Sequence, residues 1–264
     1  MCIRDRLWDF DEKVVRDRAW KKLKEERPML LVGSPMCTAF STWQRINDKI
    51  RDRYVVEAEK KRAIMHIEFC IELYREQLKH GRYFLHEHPA YATSWQLEAM
   101  QRLMGEQGVT TSVADQCLYG CLAEGESPVK KPTRFVTNSE EIAKQLGDRC
   151  QGRGGMCSRP EGGKHTQCRG RAARMAAVYH FKLCRAILVG FRNQMRVDGK
   201  YKDGFTGMLE DMVEESDAPV YRLKGPDGVA TNVQIEDQPT YRDDLTGQLL
   251  DPALVKAARA KELE

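Results

Sequence analysis

Apolar residues recur at helical spacing in several stretches of the chain. Between residues 8 and 28 they are Val14, Val15, Ala19 and Leu23, which predicts a surface helix that ends before Pro28. Residues 54–80 predict the longest helix, with Gly81 as its carboxyl cap. Shorter helices are predicted at residues 94–108, with Ser94 as N-cap and Gly108 as the stop, and at residues 139–147. Another long helix is predicted at residues 172–196.

Short, dense apolar runs lie between these helices and predict strands. They read "MLLVGS", "RYFLHEHP", "VTTSVADQ" and "TRFVTN". Alternating strands and helices predict an α/β sandwich with functional residues at the carboxyl ends of strands. Cys37, in the turn "GSPMCTAFS", and Glu87, in "LHEHP", both lie at such ends.

The periodicity fades after Lys200, and charge changes sign there. Residues 1–198 hold 35 Lys/Arg against 25 Asp/Glu, whereas residues 199–264 hold 8 against 14. We therefore expect an α/β domain at 7–198, an acidic and largely irregular linker at 199–250, and a short helix at 251–264 leading toward a downstream domain. The basic domain suggests a polyanionic partner such as nucleic acid, although such an excess also serves solvation.

Composition narrows the setting of the protein. The chain has 264 residues, 41% of them hydrophobic and 31% charged, and neither a signal-peptide pattern nor an apolar run that could cross a membrane. We expect an intracellular protein, cytoplasmic or nuclear. Nine scattered cysteines argue against a disulfide framework and for reduced thiols. The first six residues, "MCIRDR", resemble translated sequencing adapter, so we expect an artefact there.

Cys37 and Glu87 carry the clearest candidate chemistry. A cysteine in a turn of backbone N–H groups can act as a nucleophile, and a carboxylate on the neighbouring strand can act on the same substrate. Strand alternation is expected to point His86 and His88 away from the side that Glu87 faces, which argues against a cysteine–histidine protease. The alternative is that Cys37 is a small buried apolar residue.

The residues around both positions resemble cytosine-5 DNA methyltransferases. "SPMCTAFS" resembles their Pro-Pro-Cys-Gln motif with its following Phe-Ser, and "HEHP" resembles their Glu-Asn-Val or Glu-Asn-Pro motif. "DQCLYG" through "KKPTRFVTN" is similar to the segment that follows in phage and viral members. The order and spacing agree over about residues 28–140. Met36, Thr38 and His88 depart from the family pattern.

The resemblance implies a fold, a chemistry and a cofactor. The fold would be part of a class I methyltransferase (Rossmann-like) sheet. Cys37 would attack carbon 6 of a flipped cytosine, Glu87 would hold or protonate ring nitrogen 3, and S-adenosylmethionine would give the methyl group. Lys130, Lys131 and Arg134 would contact DNA or the extruded base. In the family the cofactor loop precedes the Pro-Cys strand, so we expect a fragment that is inactive alone, with cofactor-binding residues unknown.

A second resemblance lies at the end of the chain. "DDLTGQLLDPALVKAARAKELE" is similar to the run that leads into the reverse transcriptase of copia-type retroelement polyproteins in marine protists. A methyltransferase-like segment also occurs in those polyproteins. Other domains of the same polyprotein are therefore expected partners.

The loop after residue 149 offers a second candidate site. Cys150, Cys157, His165 and Cys168 are four residue types that bind zinc, but their spacing matches neither a zinc finger nor a retroviral knuckle. Alternatively, this basic Gly/Arg loop lies along phosphates with its thiols free, through cations such as Arg153, Lys164 and Arg169. Cys117 and Cys121 are interpreted as packing residues.

Three functions remain open from the sequence. The chain is the catalytic side of a methyltransferase-like domain, a non-catalytic nucleic-acid-binding module of a polyprotein, or a fragment without a function of its own. The departures at Met36, Thr38 and His88, with the basic loop, favour the second.

Overall fold

The computed structural model describes residues 8–41, 48, 50–123 and 126–200, together with the backbone of four short strands beyond residue 221. The chain divides into two compact units, Met1–Tyr201 and Lys202–Glu264. Each unit is described by itself. The expected artefact at residues 1–6 and the expected helix at 251–264 lie outside the described residues.

A four-stranded mixed sheet forms the centre of the first unit. Its strands are β1 (Leu30–Gly33), β2 (Tyr83–Pro89), β3 (Thr110–Asp115) and β4 (Pro132–Thr137), in the spatial order β1-β2-β4-β3. β1 pairs parallel with β2, whereas β4 pairs antiparallel with both β2 and β3. The predicted α/β class and all four predicted strands are confirmed, with one antiparallel strand inserted between two that run the same way.

Six α-helices accompany this sheet in the described part of the chain. They are α1 (Lys13–Glu26), α2 (Arg53–Lys79), α3 (Glu98–Met104), α4 (Glu140–Gln145), α5 (Gly170–Met175) and α6 (Phe181–Val197). α2 begins where the Asp52 carboxylate accepts the backbone N–H groups of Tyr54 and Val55. α4 begins at Ser139, whose hydroxyl accepts from Ile142 N–H.

The helices cover the sheet on both faces. Residues of α2 and α3 build one apolar core, which includes Ile67, Ile71, Phe84, Met100 and Leu103. Residues of α4 and α6 build another around Leu85, Phe135, Ile142, Leu183 and Ile187. Because successive strand residues face opposite sides, Phe84 belongs to the first core and Leu85 to the second. Glu87, two residues after Leu85, faces the α6 side.

The predicted start and end of the helix at residues 94–108 are both wrong. Ser94 is not an N-cap, because it lies in a 3-10 turn, Thr93–Gln96, where its hydroxyl bonds to His88 Nδ1 at 2.7 Å. α3 then ends at Met104 with Gly105 as its cap, before Gly108.

The helix predicted at 172–196 is interrupted between α5 and α6. The Ala176 carbonyl accepts a hydrogen bond from Lys131 Nζ at 3.0 Å. In a continuous helix the same carbonyl would accept a backbone N–H of the next turn. His180 then begins α6, because its ring accepts the Lys182 N–H.

The second unit contains two short antiparallel strand pairs within the expected acidic linker. β5 (Arg222–Lys224) pairs with β6 (Ala230–Asn232), and β7 (Tyr241–Arg242) pairs with β8 (Leu249–Leu250). Among the described residues of the chain, no helix is both long enough and apolar enough to cross a membrane.

Candidate functional site

The end of β1 packs closely against the Tyr74 side chain. A Cβ atom on Gly33 would lie 1.8 Å from the Tyr74 hydroxyl, so only glycine fits this position. That hydroxyl bonds to His86 Nδ1 at 2.9 Å. Burial, followed by the neighbouring His88, holds the pKa of His86 well below its ordinary value, so the ring is neutral. These contacts therefore fix the position at which the turn follows β1.

His86 and His88 point away from Glu87, as strand alternation predicts. His88 Nε2 lies 3.0 Å from the Pro35 carbonyl oxygen, and both rings contact Trp95. Burial lowers the pKa of His88, although Glu87 opposes this. The histidines therefore position the Cys37 turn from the α2 side and do not act as a base for Cys37.

Glu87 is a buried carboxylate beside that turn, with 4% of its surface exposed. The Ser34 hydroxyl donates to Oε2 at 2.5 Å. Oε1 has no hydrogen bond of normal geometry among the described residues, and the Lys131 ammonium lies 3.9 Å from it. The Tyr179 hydroxyl is a further neighbour, since burial and then the Glu87 carboxylate raise its pKa. One oxygen of a buried carboxylate is thus left for a donor from outside.

Cys37 is half-buried in the turn "SPMCT" and begins the 3-10 turn Thr38–Phe40. Burial raises the pKa of its thiol most, and the Glu87 carboxylate raises it further, while Lys131 lowers it. The structure thus brings Cys37, Glu87 and Lys131 together, and it keeps Cys37 protonated at neutral pH.

The three cations expected to contact DNA make contacts inside the protein. Lys131 bridges Ala176 and Glu87, and Lys130 Nζ lies 3.3 Å from the Cys150 carbonyl and 3.8 Å from Asp115. The Arg134 guanidinium lies 5.1 Å from the centre of the Trp95 ring. Only Lys131 of these three adjoins the Cys37–Glu87 pair through a described contact.

A separate cluster of thiols and an imidazole lies at the carboxyl end of β3. The ligand atoms of Cys117, Cys150, Cys157 and His165 all lie within 4.8 Å of one another. Cys117 comes from the 3-10 turn that follows β3, and the other three come from the glycine-rich loop. This arrangement is compatible with zinc.

Cys168 does not belong to this cluster, and its assignment as a zinc ligand is corrected to Cys117. After His165, the Thr166 N–H donates to the Pro128 carbonyl at 2.9 Å, which leads the chain toward Lys131. There burial is the main cause that raises the pKa values of Cys37 and Cys121, and the Cys168 thiol adds a smaller rise to both. Cys168 therefore adjoins the first site.

The structure adds three residues that the sequence analysis did not select. Ser34 and Tyr179 adjoin Glu87, and Cys117 completes the cluster. Ser34 could have been selected from the sequence, because it is a polar residue directly before "PMC". Tyr179 and Cys117 come close only through the fold, so the sequence offered no local signal for them. Arg153, Lys164 and Arg169 are exposed.

The turn after β1 does not offer a cradle for S-adenosylmethionine. Such a cradle needs a glycine that leaves open space for the cofactor at the end of a strand. The glycine that closes β1, Gly33, instead faces the Tyr74 hydroxyl. The residues at the end of β1 therefore do not fit this cofactor.

Comparisons of the chain with protein-family models, with curated proteins and with solved structures found no match in any of the three.

Proposed function

We propose that the first unit is the base-binding side of a cytosine-5 DNA methyltransferase-like domain. One observation carries this proposal: Cys37 lies in the turn after β1, and the buried Glu87, one oxygen of which accepts no hydrogen bond among the described residues, lies on the adjacent strand. Two groups in this relation suit a pyrimidine, which needs a nucleophile at carbon 6 and a hydrogen-bonding carboxyl at ring nitrogen 3 or the exocyclic amine.

The order of the strands supports the same assignment. β4 runs antiparallel between β2 and β3, so β1, β2 and β3 all run in the same direction, as in an open, mostly parallel α/β sheet. The nucleophile and carboxylate then belong at the carboxyl ends of β1 and β2, where open α/β sheets bind ligands.

The chemical step that this chain's own residues would perform is addition to the base. The Cys37 thiol loses its proton to solvent and its sulfur bonds to carbon 6, which breaks the ring π bond between carbons 5 and 6. The Glu87 carboxylate holds the base by accepting a hydrogen bond from its exocyclic amine, and carbon 5 takes a proton from water. On reversal carbon 5 gives its original hydrogen back to water as a proton, the sulfur–carbon bond breaks and the thiolate leaves, so cytosine returns with its carbon-5 hydrogen exchanged.

This step predicts hydrogen exchange without a methyl donor. The full chain is incubated in D₂O with an oligodeoxynucleotide that contains cytosine, and deuterium at carbon 5 is measured by mass spectrometry. We expect exchange that falls at least about tenfold in Cys37→Ser, because serine is a far weaker nucleophile at neutral pH. Cys184→Ser, a thiol on α6, is the matched control. Equal exchange in Cys37→Ser and the unmodified chain, or none in either, would refute the proposal.

A non-catalytic nucleic-acid-binding module is the second candidate. It is favoured by the exposed cations Arg153, Lys164 and Arg169 on one loop, together with the protonated state of Cys37. Such a module would bind phosphates through the loop and would show no exchange at carbon 5.

A further inference from the structure

The cluster at the end of β3 has the dimensions of a tetrahedral metal site. Zinc lies about 2.3 Å from a thiolate sulfur and about 2.0–2.1 Å from an imidazole nitrogen, so tetrahedral ligands lie about 3.8 Å apart for two sulfurs and about 3.6 Å for sulfur and nitrogen. Cys150 Sγ lies 3.9 Å from Cys157 Sγ and 3.6 Å from His165 Nε2. Both separations match those of a tetrahedral zinc site, and all four ligand atoms lie within 4.8 Å of one another.

The loop is folded in a way that presents these ligands together. Met156 and Lys164 form an antiparallel bridge, the Cys157 N–H donates to the Gly163 carbonyl at 2.8 Å, and the His165 N–H donates to the Gly155 carbonyl at 2.7 Å. This hairpin places Cys157 and His165 side by side.

Groups around Cys150 support a sulfur that carries negative charge. The Ser158 N–H and hydroxyl both donate to Cys150 Sγ at 3.4 Å. The Cys150 N–H donates to the fully buried Asp115 carboxylate at 2.9 Å, which Arg149 also contacts at 3.0 Å. Metal ligands are commonly oriented by hydrogen bonds from neighbouring residues. Here such bonds reach both the sulfur and the backbone of Cys150.

Little apolar surface holds the loop in place. The buried cluster where it meets the sheet consists of Cys117, Cys150 and Cys157, with Leu118 packed against them. Three thiols bury little apolar surface, so they provide little of the free energy that orders a glycine-rich loop. A bound ion would provide it, as in small metal-dependent folds.

We propose that Cys117, Cys150, Cys157 and His165 bind one Zn²⁺ as a structural site that fastens the loop to the end of β3. Three thiolates and one imidazole select zinc over magnesium or calcium, which prefer oxygen ligands. Four protein ligands leave no position for a substrate, so the ion is structural. The site is independent of the function proposed for Cys37.

Metal content of the full chain tests this site. Protein purified under reducing conditions with zinc present, then freed of loosely bound metal, is analysed by elemental mass spectrometry. We expect about one zinc per chain, falling at least fivefold in Cys117→Ser and Cys150→Ser. Cys168→Ser is the matched control and keeps its zinc. Unchanged zinc in Cys117→Ser, or an equal loss in Cys168→Ser, would overturn the assignment.

Cobalt binding covers the case in which a serine variant fails to fold. Co²⁺ added to the metal-free unmodified chain should give the visible absorption of a tetrahedral, thiolate-bound ion. His165→Cys should keep a tetrahedral spectrum with stronger sulfur-to-cobalt absorption, because it replaces nitrogen with a fourth sulfur. An octahedral spectrum in the unmodified chain, or a Cys150–Cys157 disulfide under the reducing conditions, would contradict the proposal.

Discussion

Cys37 is a nucleophile candidate held in a protonated state by its surroundings. Burial and the Glu87 carboxylate both raise the pKa of its thiol, and Lys131 opposes them. Glu87 therefore has opposite effects on the proposed step, because it binds the base and also disfavours the thiolate. A base that donates to Glu87 would weaken the second effect.

The reactivity of Cys37 should depend on Glu87 in a defined direction. A thiol is alkylated as its thiolate, so replacing the carboxylate in Glu87→Gln should lower the pKa of Cys37 and speed its alkylation at pH 7.5 by a factor of about two to five. Lys131→Met should slow it. The rate is measured by mass spectrometry of the peptide that contains Cys37.

Cys184 provides the internal reference for this measurement, since its raised pKa owes nothing to Glu87. Cys37 alkylation that is unchanged or slower in Glu87→Gln would show that Glu87 does not control the thiol. In the unmodified chain the rate should still be rising with pH above the ordinary thiol range, because the raised pKa delays formation of the thiolate.

At the scale of elements, α6 approaches α4 closely enough to require a glycine. A Cβ atom on Gly190 would lie 2.6 Å from Ile142 Cα and 2.8 Å from the Glu141 carbonyl oxygen. Both atoms are backbone, so a side chain cannot move aside to make room. This contact sets the depth at which α6 lies over the sheet and, through the preceding residues, the position of Tyr179 beside Glu87.

Gly190→Ala should therefore destabilise the protein. Overpacking costs about 1–3 kcal/mol, and the better helix preference of alanine returns at most about 1 kcal/mol. We expect the free energy of unfolding in urea to fall by about 1–2 kcal/mol. Gly105→Ala is the matched control, because its new Cβ would meet atoms no nearer than 3.5 Å and it should change stability little. Equal stability of the two variants would contradict this account of α4–α6 packing.

Across the whole molecule, charge is divided between the first 198 residues and the rest of the chain. Residues 1–198 carry ten more cationic than anionic side chains, and residues 199–264 carry six more anionic ones. Arg153, Lys164 and Arg169 are exposed, whereas Lys130 and Lys131 are engaged within the protein. Binding of a polyanion should therefore depend on the loop.

Salt dependence of DNA binding tests this expectation. Each phosphate contact contributes about −0.9 to the slope of log K against log salt for duplex DNA, so replacing Arg153, Lys164 and Arg169 with alanine should flatten the slope by about 2–3. The control replaces Lys60, Lys61 and Arg62 of α2 with alanine, which removes the same charge elsewhere. If both triple variants flatten the slope equally, binding follows net charge and not the loop.

Local patterns predicted the fold better than they predicted the sites. The four strands follow from short, dense apolar runs, and the long helix α2 follows from apolar residues at helical spacing. The break at Ala176 escaped prediction because it depends on Lys131, which lies far away in sequence. Glu87 and Cys37 were found because strand ends concentrate ligand-binding residues.

The second cluster shows why a ligand set is harder to predict than a strand. Cys150, Cys157 and His165 share one loop and were grouped by sequence proximity, but the fourth position depended on where the chain goes after His165. Thr166 pairs with Pro128 and carries Cys168 away, while the turn after β3 brings Cys117 in. Cys117 and Cys121 are indistinguishable in sequence, and only the former lies in the cluster.

The insertion of β4 between β2 and β3 also bears on how the chain folds. β3 and β4 are near in sequence and pair antiparallel from Thr110–Thr137 to Asp115–Pro132. The pairings of β2 with β1 and with β4 instead join segments separated by all of α2 or by α3 and β3. Loop-closure entropy favours the nearer pair first. We therefore expect a nucleus of β3, β4 and α4, with the docking of β2 as the rate-limiting event that brings Glu87 to its partners.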